Sequence, residues 1–289
     1  MKLILLLSLG ILSLSLLAKA QDAAQYSLRP LPDSLYGVTI DRTDKLSKIL
    51  DSLRRLSKRP TTRIVFDEFV AAREYQVATN AIFNVSYVMG ELLDSFYVNK
   101  YSVTDYEKRA QEYTSLLKNK VDLWEVGNEI NGEWLGTTPD VVTKITKAAR
   151  VVKQAGGRTA ITLYYNPNCY AKPSNEMFTW AGTNINTELK GLIDYVLVSY
   201  YEEDCNGYIP NWQQVFDRLA QIFPGKKLGV GECGTKKSSK KKALVQRYYS
   251  MKVTTPNFIK GNFWWYFWQD MVPYKNSLWT TLNETIRNN

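Results

Sequence analysis

The sequence predicts an α/β fold, a single (β/α)8 TIM barrel, and three observations carry that expectation. Short apolar runs alternate with longer segments whose apolar residues recur every three or four positions, the pattern of parallel βα units. Eight such runs fall within roughly 260 residues, the length of one barrel. Several runs end on carboxylates or amides (Asp41, Asp67-Glu68, Glu91, Asn128-Glu129, Glu232), and the C-terminal ends of barrel strands are where such a fold gathers its polar groups. A doubly wound open sheet competes on element order. It opens with a glycine-rich turn after its first strand, and Thr39-Ile40-Asp41-Arg42 is nothing like one.

The elements follow in order. Leu35 to Ile40 reads as the first strand, and Leu46, Ile49, Leu50, Leu53 and Leu56 give the first helix its stripe. Thr62 to Phe66 is the second strand, followed by a helix carrying Val77, Ala81 and Ile82. Val85 to Met89 is the third, ending at Gly90-Glu91, with Tyr106, Ala110, Tyr113 and Leu117 on the next helix. Val121 to Val126 is the fourth and stops at Gly127-Asn128-Glu129. Thr138 then caps a helix with Pro139 in its first turn, a stripe of Val141, Ile145, Ala148 and Val152, and Gly156-Gly157 at its end. The fifth strand is Thr159 to Tyr165 and the sixth Tyr195 to Tyr201. A helix with Val215, Leu219 and Ile222 stops before Pro224-Gly225. The seventh strand is Lys227 to Glu232, with Leu244 and Tyr248 on the helix behind it; the eighth is Phe258 to Trp268, and a final helix fits Ser277 to Arg287.

Residues 1–20 read as a signal peptide preceding a barrel domain over 21–289. Lys2 is a positive start, Leu3 to Leu17 an apolar run, and Ala18-Lys19-Ala20 a small-x-small cleavage site. The run is shorter than the ~20 residues of a spanning helix, so the expectation is a secreted or periplasmic monomer without a membrane span. Net charge is +9, or +7 without Lys2 and Lys19, and much of the excess sits in the run Lys236-Lys237-Ser238-Ser239-Lys240-Lys241-Lys242. A solvated helix start and a hold on an anionic polymer are both open for that run. Nothing matches a nucleic-acid-binding module.

The chain has no histidine, which excludes Ser-His-Asp and Cys-His catalysis and argues against a transition-metal site. Chemistry then falls to carboxylates and tyrosines, with no metal and no cofactor expected. Among three cysteines, Cys169 and Cys205 follow adjacent strands, which makes them the expected disulfide in an oxidising compartment. Cys233 is left as a buried thiol.

Two strand ends stand out, Val126-Gly127-Asn128-Glu129 and Gly229-Val230-Gly231-Glu232, 103 residues or about three βα units apart. Asn-Glu after the fourth strand with Glu after the seventh resembles clan A of the retaining glycoside hydrolases. The resemblance implies Glu129 as acid/base, Glu232 as nucleophile, and Asn128 on the sugar's 2-hydroxyl. In the sixth strand, Asp194 and Tyr201 fit a pattern of that clan in which Tyr201 reaches the nucleophile, but Ser199 stands where several families have His. The clan also implies a Trp after the eighth strand beneath the sugar. Trp265 and Trp268 have opposite parity in an unbulged strand, and Trp265, in step with Phe263 and Phe267, is the better placed.

Trp134 is a candidate subsite platform on the following loop, with Glu133 beside it, while Glu125 is expected to point away. Asp67, Glu68 and Glu91 either bind sugar hydroxyls or pair with arginines such as Arg42 and Arg73. The resemblance implies a retaining β-glycosidase, endo-acting on a β-linked oligo- or polysaccharide. A transglycosylase using the same two glutamates and a glycan-binding barrel without activity are the alternatives.

Overall fold

In the computed structural model, which describes residues 28–289, eight parallel strands close into one barrel in sequence order. The expected leader lies outside the described residues. The strands are β1 Gly37–Ile40, β2 Thr61–Val65, β3 Tyr87–Glu91, β4 Leu123–Gly127, β5 Thr159–Tyr164, β6 Tyr195–Tyr200, β7 Lys227–Cys233 and β8 Phe258–Trp264. Around them run the helices α1 Leu46–Arg54, α2 Gln76–Val85, α3 Val103–Leu117, α4 Thr138–Gln154, α5 Met177–Asn184, α6 Thr187–Leu192, α7 Trp212–Ile222, α8 Ser238–Tyr249, α9 Phe267–Met271 and α10 Ser277–Arg287. No helix among the described residues is long and apolar enough to cross a membrane.

Differences from the expected elements have local causes. Thr137, not Thr138, caps α4: its hydroxyl accepts from the Asp140 amide, which puts Pro139 in the first turn where its missing N–H costs nothing. Val85 closes α2 rather than opening β3, and Val77 is exposed while Ala78 and Ile82 face inward. α5 and α6 were not expected; Glu176 and Asn186 cap them with side-chain acceptors. The eighth strand stops at Trp264, and Phe267 and Trp268 enter α9.

The barrel has two chemically different storeys. Its N-terminal half is plugged by Leu35, Met89, Leu123, Ala160, Leu197, Ile259 and Phe263. The outer faces of the strands meet the helices in a second, larger apolar layer that includes Trp124, Val126, Ile145, Ile161 and Trp264.

Register breaks at three joints, all among the strands that end at the upper storey. Between β4 and β5, Glu125 pairs with Ala160 and Gly127 with Ile161, which leaves Val126 as an extra residue. Between β6 and β7, Val198 pairs with Val230 and Ser199 with Glu232, so Gly231 is extra. A bulge of this kind reverses which side chains face inward beyond it. Gly231 needs to be glycine, since a Cβ there would lie 2.7 Å from Leu197 Cβ and 2.9 Å from Thr162 Oγ1. The bulge is what lets Glu232 share the barrel interior with Gly231.

Candidate active site

Above the apolar plug lies a charged layer centred on Arg63, which β2 projects fully buried into the barrel. Its Nε is 2.6 Å from Glu125, its Nη2 2.9 Å from Glu91 and its Nη1 2.7 Å from Glu232. Burial opposes the guanidinium charge, but Glu125, Glu91 and Glu232 outweigh it and hold Arg63 protonated. One cation serves three carboxyls, and they are not equivalent. Glu125 accepts from Arg63, from the Thr162 hydroxyl and, at 3.4 Å, from Asn128 Nδ2. Glu91 touches Arg63 only as an ion pair, with neither oxygen in hydrogen-bond geometry, and burial pushes its carboxyl well above the usual range. Burial raises the Glu125 carboxyl too, while Arg63 and the Thr162 hydroxyl work against the rise.

At the C-terminal mouth the two strand-end glutamates have opposite surroundings. Glu232 Oε2 accepts from Arg63 and, at 3.3 Å, from Asn128 Nδ2; its Oε1 accepts from Tyr201 Oη at 2.6 Å. Charge-assisted donors of this kind favour the ionised carboxylate. Burial and the Glu232 charge push the Tyr201 phenol well up, so it remains a donor.

Among the described residues, Glu129 pairs with no cation. It sits at φ 47°, a left-handed conformation uncommon outside glycine that turns its side chain back over the mouth. Its partners are two hydroxyls, Ser199 Oγ at 2.6 Å and Ser95 Oγ at 2.9 Å. Burial raises the Glu129 carboxyl to about 8, the Glu232 charge adds to the rise, and the two serines work against it. The mouth thus holds one carboxyl raised by burial among hydroxyls beside one that accepts from a guanidinium, a phenol and an amide.

No family model matches the chain, and no curated protein does. Among solved structures it is similar to Saccharomyces cerevisiae Gas2p in complex with laminaritriose and laminaritetraose, at 10% identity and a TM-score of 0.58 over 88% of this chain and 64% of that one. It is also similar to a family 1 β-glucosidase from Thermotoga maritima, at 9% identity and a TM-score of 0.57 over 90% and 99% of the two chains. The chain spans 64% of the length of the yeast protein. At these identities the likeness is one of fold, a barrel of eight strands.

Of the residues singled out in the sequence, Glu129, Glu232, Asn128, Tyr201 and Trp265 converge at this mouth. Trp265 leaves the end of β8 with its ring 5.3 Å from Arg63 Cζ, and its backbone N–H donates to the Cys233 carbonyl. Trp268 does not join them. In α9 it lies under Arg42 and Lys45 at the rim, 4.6 and 4.9 Å from their charged groups. Phe267 packs into the outer apolar layer, so parity with Phe263 ends where the strand ends.

Trp134 borders the site, donating from Nε1 to Ser95 Oγ at 3.1 Å. Glu133 turns away to cap the amides of Ala171 and Lys172, both at 2.8 Å. Asp67 lies exposed on the rim, held by the Tyr75 hydroxyl at 2.7 Å.

Glu91 and Glu125 correct the sequence reading. Glu91 is wholly enclosed and paired with Arg63 rather than Arg42 or Arg73, so no sugar hydroxyl reaches it. Glu125 points inward because β4 runs in step from Leu123, and the bulge falls after it.

Arg63, Ser95 and the donor role of Ser199 toward Glu129 are absent from the sequence reading. A lone arginine inside Thr-Thr-Arg-Ile-Val-Phe is a visible anomaly for a strand buried on both faces. Ser95 carries no such signal. The lysine run is not uniformly solvated: Lys241 pairs with Asp270, which also accepts from Trp264 Nε1. Lys236 lines a pocket of about 220 Å³ with Tyr201, Glu203, Asp204, Thr235 and Tyr266. Cys169 is bonded to Cys205, and Cys233 is a free, buried thiol.

Proposed function

We propose that the chain is a retaining β-glycosidase of clan A type, secreted after removal of residues 1–20 and acting within a β-linked glycan. The observation that carries this is the unequal pair at the mouth: Glu129, raised to about 8 among hydroxyls, facing Glu232, held by Arg63, Tyr201 and Asn128.

In the first step a Glu232 oxygen bonds to the anomeric carbon as the bond to the leaving oxygen breaks, and that oxygen takes the Glu129 proton. In the second step the ionised Glu129 removes a proton from water, whose oxygen bonds to the same carbon and releases Glu232. Tyr201 and Arg63 hold Glu232 side-on through both steps. Asn128, within reach of Glu232, is placed for the sugar's 2-hydroxyl, and Trp265 for the face of the ring. Replacing water by an acceptor hydroxyl turns the second step into transglycosylation on the same groups, and product analysis separates the two.

The disulfide supports an oxidising destination. Glu129→Gln and Glu232→Gln should each abolish turnover while leaving the fold intact. Azide should rescue Glu232→Ala with an activated substrate, giving a glycosyl azide of inverted configuration. Rescue of the position 129 variant with inversion would exchange the roles, and full activity in either Gln variant would end the reading.

A further inference from the structure

The rim of the mouth is lopsided. On the side of β6 to β8 lies the polar pocket of Glu203, Asp204, Thr235 and Lys236, with Tyr208 and Ile209 exposed further along the loop after β6. On the side of β2 to β4, three large aromatic side chains stand in solvent: Phe69 at 70% exposure, Phe96 at 63% and Trp134 at 36%. Single exposed apolar residues are ordinary, but three on successive loops beside one polar centre form a patch.

Each ring is held in place. Phe69 sits at φ 59°, strained for a bulky residue, with its ring flat on Tyr101 (centroids 5.0 Å, 8° between planes) and its N–H given to the Tyr101 hydroxyl at 2.6 Å. Phe96 follows directly on Ser95, its N–H capped by Asp94 at 2.8 Å and its ring edge-on to Tyr97 at 5.2 Å. Trp134 donates to the Ser95 hydroxyl that itself donates to Glu129, and meets Tyr164 edge-on at 5.4 Å. Ser95 therefore ties the patch to the carboxyl pair. The loops adjoin, since Glu68, next to Phe69, lies close enough to Tyr97 for its charge to raise that phenol.

We infer that Phe69, Phe96 and Trp134 form a binding arm for a neutral β-linked glycan chain, several sugars long, leading outward from Glu129 over the loops after β2, β3 and β4. The inference rests on the glycosidase reading for the chemistry at its inner end. Rings offer area and polarisable faces to the C–H faces of equatorial sugars, while Asp67, Glu68 and Asp94 beside them offer acceptors to hydroxyls. Glu68, Asp94 and Asp67 all lie near enough to Tyr97 for their charges to raise its phenol, and Lys100 stands 4.7 Å from that ring's centre, so the carboxylates along the arm disfavour a polyuronate. Rings already stacked and capped lose little freedom on binding.

The test uses Glu232→Gln, so that ligand stays intact, in native gels containing a β-glucan, β-mannan, xylan or polygalacturonate. At least one neutral polymer should retard it and polygalacturonate should not. Adding F69A/F96A should weaken the retardation ten-fold or more, and F69Y/F96Y, which keeps the rings, should restore it. Retardation by polygalacturonate, by none of the neutral polymers, or undiminished in F69A/F96A overturns the arm. Retardation that depends on both rings, with no cleavage of that polymer by the unsubstituted protein, would remove the glycosidase reading and leave the arm standing. Cleavage of long and short oligosaccharides at rates equally indifferent to F69A/F96A would do the reverse.

Discussion

Burial and the neighbouring Glu232 charge hold the Glu129 carboxyl at about 8, so it carries its proton through neutral pH. If that proton goes to the leaving group, kcat/KM should fall as pH rises through about 8. The same shift has a stability counterpart. In the unfolded chain a glutamate titrates near ~4.3. A folded value above that favours the folded state fully below ~4.3, and the advantage is lost as pH rises through about 8. Gln at 129 does not titrate, so the melting temperature of Glu129→Gln relative to the unsubstituted protein should climb between about pH 5 and about pH 9. A constant offset across that range would show that Glu129 is not held protonated by its burial.

Among the elements, β7 shows what placing a glutamate here requires. Without the extra residue at Gly231, strand alternation would turn Glu232 outward toward the helices. Gly231→Ala brings a Cβ to 2.7 Å from Leu197 Cβ, in a closely packed storey with little room to yield. It should lower the unfolding free energy by about 1–3 kcal/mol, as overpacking does, and reduce kcat/KM by moving Glu232. A denaturation midpoint and rate matching the parent protein would mean that β7 absorbs the methyl group. The eight strands are legible from sequence because each is a short, largely apolar run bounded by turns, a pattern that needs no tertiary knowledge. The ends of β4 and β7 are legible because a carboxylate closing an apolar run is conspicuous. Bulges are not, since their signature is a register between strands distant in sequence, so the inward turn of Glu232 escapes a reading based on alternation alone. Glu125 and Glu91 do follow the alternation from Leu123 and Met89, but their enclosure depends on Arg63 reaching across from β2, a contact between distant strands. Trp268 escapes for a related reason, because the aromatic run continues unbroken while the backbone changes from β8 to α9.

At the scale of the molecule, one covalent link joins the loops that follow β5 and β6, with Cys169 and Cys205 36 residues apart and their Cα atoms 5.2 Å apart. Cys169→Ser/Cys205→Ser should lose a few kcal/mol of stability, about 3–4 in the chain-entropy treatment, read as a lower melting temperature. A melting temperature equal to that of the oxidised protein would mean that packing alone holds the two loops. The apolar plug beneath Arg63 has a different consequence. Leu35, Met89, Leu123, Ala160, Tyr195, Leu197, Ile259 and Phe263 fill the lower end of the barrel, an apolar packing in which the Tyr195 phenol is the polar tip, so the mouth is the polar approach to Glu91 and Glu125. The molecule is in this sense a flask with a single neck. On the glycosidase reading, a sugar seated over Trp265 would stopper it and slow the exchange of protons at the carboxyls below.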